Sequence, residues 1–118
     1  MMGGYDFNQF EFGFHFGEDS SVTTWVIPDG KTVIATEAFK GFTGLESITL
    51  PESIREIHDS AFRNCRSLCS VMLPDGLRMI RPEAFKGCEG LTSIKIPHGV
   101  WEISYGAFEN CTNLTSVT

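Results

Sequence analysis

The chain has no run of apolar residues approaching the ~20 needed to cross a bilayer as a helix, which excludes membrane insertion by that route. Positive charge is scarce: 9 Lys and Arg stand against 15 Asp and Glu, for a formal net charge of −6. The basic residues are scattered, with only Arg63/Arg66 and Arg78/Arg81 near one another. Phosphate binding needs clustered cations, so nucleic acid is excluded as a partner. Histidine is rare, and His15, His58 and His98 fall at unrelated positions. No G-x-S-x-G, phosphate-cradling glycine loop or H-E-x-x-H occurs. The sequence therefore offers no catalytic constellation, and it implies neither an enzyme nor a cofactor. The four cysteines have no zinc-site spacing. Residues 1–6 lack the basic and apolar stretches of a signal peptide, so the expected location is the cytoplasm unless a leader has been removed.

What the chain does have is a period of 23 residues. ITLPESIREIHDSAFRNCRSLCS (48–70), VMLPDGLRMIRPEAFKGCEGLTS (71–93) and IKIPHGVWEISYGAFENCTNLTS (94–116) superpose without gaps. A weaker copy, WVIPDGKTVIATEAFKGFTGLES, occupies 25–47, and Val117 and Thr118 open a fifth. A fixed period in this range marks a solenoid, in which each copy is one coil.

Each column of the repeat is a physical instruction. Trp25, Ile48, Val71, Ile94 and Val117 share one column; Ile27, Leu50, Leu73 and Ile96 share another two residues on. Apolar, largely β-branched positions at a spacing of two predict a short strand with one buried face. Pro28, Pro51, Pro74 and Pro97 close the strands, because proline has no N–H for a ladder. Turn-forming pairs follow, Asp29-Gly30, Glu52-Ser53, Asp75-Gly76 and His98-Gly99. A second apolar pair comes next, Ile54/Ile57, Leu77/Ile80 and Val100/Ile103, with Lys31/Ile34 in the first copy. Every copy then carries Ala-Phe, ending at Phe39, Phe62, Phe85 and Phe108, which predicts a 3₁₀-like or single-turn helical corner with Phe inside. Phe42, Cys65, Cys88 and Cys111, then Leu45, Leu68, Leu91 and Leu114, complete the coil. No coil can bury such a face alone; each needs a neighbour.

The pattern Ile-x-Ile-Pro, Ile-x-x-x-Ala-Phe, Cys-x-x-Leu-x-Ser-Ile resembles the BspA-type leucine-rich repeat, in register over residues 25–118. Lys31 and Phe42 depart from it in the first copy, as expected of a terminal repeat. The resemblance implies a right-handed leucine-rich-repeat solenoid, β-rich with short helical corners and a parallel sheet on its concave face. It also implies a non-enzymatic module for protein–protein interaction or adhesion, of the kind carried by bacterial surface and secreted proteins.

Cys65, Cys88 and Cys111 share one column and are expected to be free, buried thiols, while Cys69 lies off the column. Residues 1–24 do not repeat. Phe10, Phe12, Phe14 and Phe16 alternate with Glu11, Gly13 and His15, which is a strand signal. Such a strand would either cap the first coil or add to a partner's sheet. At the other end, Leu114 and Val117 have no cover in the sequence, so Phe12, Phe14, Leu114 and Val117 are the candidate residues for self-association into a homo-oligomer. A fragment of a longer array, or fraying of the last coil, would explain the same open end.

For a protein partner, of no identifiable kind, the candidate surface is the outward side of the first strand. It carries Thr49, Met72 and Lys95, preceded by Ser47, Ser70 and Ser93. The serine column has a plain packing explanation as well. On the other side Arg55, Arg78 and Trp101 share a column, with Tyr105 nearby; Trp101 either contacts a partner or covers the last coil.

Overall fold

The computed structural model describes residues 22–118; the phenylalanine-rich segment with Phe12 and Phe14 lies outside the described residues. The coils stack as the period predicts. β1 (Thr24–Val26), β3 (Ser47–Thr49) and β5 (Ser70–Met72) form one parallel sheet, and β7 (Ser93–Ile94) and β9 (Ser116–Val117) continue the same wall as a separate pair. Register follows the repeat, with Thr24 opposite Ser47, Ser47 opposite Ser70 and Ser93 opposite Ser116. The wall thus parts between the third and fourth coils.

A second parallel sheet, absent from the sequence reading, runs along another wall. It pairs β2 (Val33–Ile34), β4 (Glu56–Ile57), β6 (Met79–Ile80) and β8 (Glu102–Ile103). These strands are two residues long, too short to show an alternation. Their inward residues Ile34, Ile57 and Ile80 are fully buried.

The third wall is the Ala-Phe corner, and it is a run of turns with no helix. Ala61, Arg63 and Cys65 donate their N–H groups within the corner, to His58, Ser60 and Phe62 carbonyls. The alternate residues Ser60, Phe62 and Asn64 donate to Pro82, Ala84 and Lys86 of the next coil, at 2.7–3.0 Å. The same division recurs one coil earlier at Glu37, Phe39 and Gly41, and one later at Glu83, Phe85 and Gly87. Positive φ at Ser60 (57°) and Asn64 (64°) turns alternate amides outward toward the next coil and stops a helix from propagating. Every donor in the corner is thereby used.

The core is built of ladders. Phe39, Phe62, Phe85 and Phe108 stack at centroid separations of 5.4, 5.2 and 5.4 Å, with rings within 10° of parallel. Beside them Cys65, Cys88 and Cys111 each donate a thiol hydrogen bond of 3.1 Å to the carbonyl of Phe39, Phe62 and Phe85 on the preceding coil. Phe42 takes the cysteine place in the first coil and packs against Phe39 and Trp25. Leu45, Leu68 and Leu91 are fully buried, whereas Leu114 is only half-buried.

Candidate functional site: the face of the first sheet

The first-sheet strands present alternate residues to the two sides. Ile48 and Leu50 turn into the core, so Ser47 and Thr49 face outward, and the next coil repeats the arrangement with Ser70 and Met72. Met72 is 83% exposed and Val26 68%, two large apolar side chains standing on one face. A shallow groove of about 510 Å³ runs across the second and third coils of this face. It brings together Ser47, Thr49, Ser70 and Met72 and is rimmed by the carboxylates of Glu52 and Asp75. Ser93 and Lys95 are exposed but do not line it; they lie beyond the break in the wall.

The acidic rim is a second role for Glu52 and Asp75, which the sequence shows as turn residues. The signal was there: the residue after proline is acidic in three coils, Asp29, Glu52 and Asp75, before His98 breaks the column. All three are exposed, and among the described residues none forms an ion pair. The nearest cation to the rim, Arg55, instead donates from Nη1 to the Glu52 carbonyl at 2.8 Å. Its guanidinium occupies the space beside Gly76 that a side chain there would need.

Charges on the other walls are engaged. Glu83 pairs with Arg63 at 3.0 Å and Lys86 at 3.5 Å, and Lys86 also reaches Glu109. Arg81 lies between Asp59 and Glu102 at 3.7 and 3.5 Å. Glu56 holds His58 at 2.8 Å, and Ser104 donates to Glu102 at 2.7 Å. Glu56 and Glu102 each have their own partner and do not converge, and among the described residues no group of three His, Cys, Asp or Glu side chains is placed to hold a metal ion.

The cysteines are free among the described residues, with Cys65, Cys88 and Cys111 buried and Cys69 exposed. Burial pushes the Cys65 thiol up from 9.0 to about 12, opposed by a backbone hydrogen bond at Phe42. Burial also raises Cys88, helped by its Cys65 and Cys111 neighbours, and raises Cys111. These are inert packing groups, since the thiolate is the reactive form.

The fourth coil exposes large apolar side chains. Trp101 is 68% exposed, Ile103 48%, Tyr105 77% and Val117 54%. Ile103 occupies the column in which Ile57 and Ile80 are fully covered by the next coil. Trp101 projects into solvent.

A family described as BspA type leucine-rich repeat region matches residues 13–118. No curated protein sequence matches the chain significantly. Among solved structures, a leucine-rich repeat protein from Bacteroides ovatus is similar at 38% identity and a TM-score of 0.79, over 85% of this chain and 26% of that one. A leucine rich cell surface protein from Faecalibacterium prausnitzii is similar at 31% identity and a TM-score of 0.59, over 81% of this chain and 31% of that one. The pneumococcal vaccine antigen PcpA is similar at 25% identity and a TM-score of 0.69, over 81% of this chain and 28% of its own. The chain thus spans about a third or less of these relatives.

Proposed function

The chain belongs to the BspA-type leucine-rich repeat family, and from that premise we propose that it is a protein-interaction module of adhesive type whose first-sheet face receives the partner. The observation that carries this is the exposed Met72 in a groove framed by hydroxyls and carboxylates. On the other walls Glu83, Arg63, Lys86, Arg81 and Glu102 are in ion pairs, whereas the carboxylates of Glu52 and Asp75 beside this face are in none among the described residues. A soft, unbranched side chain such as methionine suits adaptable contact surfaces. A cell-surface setting fits the two relatives described as a cell surface protein and a vaccine antigen. Among the described residues no helix is long and apolar enough to cross a membrane.

The test is surface plasmon resonance of the immobilised chain against a panel of extracellular matrix proteins. The triple variant Thr49→Arg, Met72→Glu, Lys95→Glu keeps its melting temperature, because all three side chains are exposed, and loses at least tenfold in affinity for any matrix protein bound. Unchanged affinity in the triple variant sinks the assignment of this face.

A second reading, self-association, takes the exposed Ile103 and Val117 as its contact surface. Light scattering over a concentration series decides it: a mass that rises with concentration, and that Val117→Asp returns to the monomer value, favours assembly. A concentration-independent monomer removes it.

A further inference from the structure

We propose that the groove between the second and third coils takes an extended, lysine- or arginine-bearing segment of a protein partner, gripped by Glu52 and Asp75 with the projecting Met72 as the apolar contact. This rests on the reading of the first-sheet face as the binding face and adds the chemistry of what it binds. The groove is continuous with that face and is lined by residues of two successive coils, so an occupant lying along the solenoid axis meets both. Its polar lining, Ser47, Thr49 and Ser70, both donates and accepts hydrogen bonds, as a peptide backbone requires.

Charge selects the occupant. Five carboxylates among the described residues have no ion pair: Asp29, Glu46, Glu52, Asp75 and Glu89. Four of them flank the first-sheet strands, Glu46 where β3 begins and Asp29, Glu52 and Asp75 just beyond the closing prolines. Adjacent coils lie ~4.8 Å apart, so Glu52 and Asp75 stand side by side and their fields add. The two cations on the same turns bond backbone and leave the carboxylates unpaired: Arg55, at the rim itself, donates to the Glu52 carbonyl, and Arg78 donates to the Leu77 carbonyl at 3.4 Å. The acidic character ends at the break in the wall, where the same columns place Lys95 and His98. A basic segment therefore docks over the second and third coils and stops short of the fourth, which repels it.

Fluorescence anisotropy with two labelled probes tests this: a nine-residue peptide alternating Lys and Leu, and the same peptide with Glu for every Lys. At low salt the wild-type chain binds the Lys probe at least tenfold more tightly than the Glu probe. Glu52→Gln with Asp75→Asn reduces Lys-probe affinity at least fivefold and flattens its salt dependence, with an unchanged melt because neither carboxylate has a folded-state partner. Equal affinity for the two probes, no binding of either, or a double variant that binds as wild type overturns the proposal. The double variant on the matrix-protein panel separates the two readings. If the Thr49/Met72/Lys95 variant loses the partner and the Glu52/Asp75 variant keeps it, the face stands and the basic-segment proposal falls. If both keep it, both fall.

Discussion

The Ala-Phe corner and the first-sheet face are cut from the same 23-residue period, yet they repeat differently. On the corner the columns hardly vary: Ala-Phe in four coils, Cys in three, every amide bonded in the first three coils and the outward charges of Glu83, Arg63 and Lys86 paired. On the face the outward column runs Val26, Thr49, Met72, Lys95, and the carboxylates beside it stand alone. Stacking requires each coil to match its neighbour only where they touch. Sameness from coil to coil therefore marks the groups that hold the solenoid together. Variation marks the positions that stacking leaves free, and Thr49 and Met72 of the groove are among those, while its serines repeat.

The comparison breaks most sharply by truncation. Phe62 is fully buried and stacked on both sides, at 5.4 and 5.2 Å. Phe62→Ala is expected to cost about 3–5 kcal/mol in urea denaturation. Met72→Ala on the face should stay within about 0.5 kcal/mol of wild type. Comparable losses at the two sites would mean that the face, too, is structural.

The thiol ladder gives the corner a pH dependence. Cys65 titrates near 12 when folded against an ordinary 9.0, so the folded state holds a proton that the unfolded thiol has released. The contribution is fully present below about pH 9.0 and is lost as pH rises toward 12. The slope is at most about 1.4 kcal/mol per pH unit for each such thiol. Melting temperature should fall from pH 9 upward, and the fall should be shallower in Cys88→Ala. Cys69, exposed on the face side, should react with a thiol reagent in the native state while the other three wait for unfolding.

Much of this was legible in the sequence, for a physical reason. Interior columns carry large, repeated side chains, so Phe62, Cys65, Leu68 and the closing prolines announce the coil without a structure. The second sheet was not legible, because two residues such as Glu56–Ile57 cannot display an alternation. The corner backbone was half legible: Gly41, Asn64, Gly87 and Asn110 are residue types that favour positive φ, but Glu37, Ser60 and Glu83 sit there as well and give no such signal. The acidic rim was hidden by its second role, since Asp and Glu after proline already make sense as turn residues. The expectation for Phe12 and Phe14 lies outside the described residues.

The glycine column separates backbone strain from crowding. Gly87 has φ +78°, and a Cβ there would meet Asn64 Oδ1. Gly41 has φ +77° in open space. Gly87→Ala should cost about 0–1.5 kcal/mol from the left-handed backbone alone, its strain less what the stiffer unfolded chain returns, plus whatever displacing Asn64 adds. Gly41→Ala should show only the backbone part. Equal losses in chemical denaturation would mean that Asn64 yields freely.

The smallest effect expected is a gain. Glu37 holds φ 60° at a corner position where the fourth coil has Gly106 at φ 67°. A left-handed non-glycine residue costs about 1–2 kcal/mol, and glycine forfeits roughly 0.5–1 of that through the freer unfolded chain. Glu37 also pairs with Lys40 at 3.3 Å, but both side chains are largely exposed, and such pairs are worth about 0–1 kcal/mol. Glu37→Gly should therefore change stability by less than about 1 kcal/mol, on the stabilising side. Lys40→Ala measures the ion pair separately, and subtracting it isolates the backbone gain. A net loss larger than the Lys40→Ala loss would show that the Glu37 side chain does more for the corner than its one visible pair. Glu37 would then rank with the phenylalanines among the groups that hold the coils together, and sameness of residue type would no longer be a sufficient guide to which columns do so.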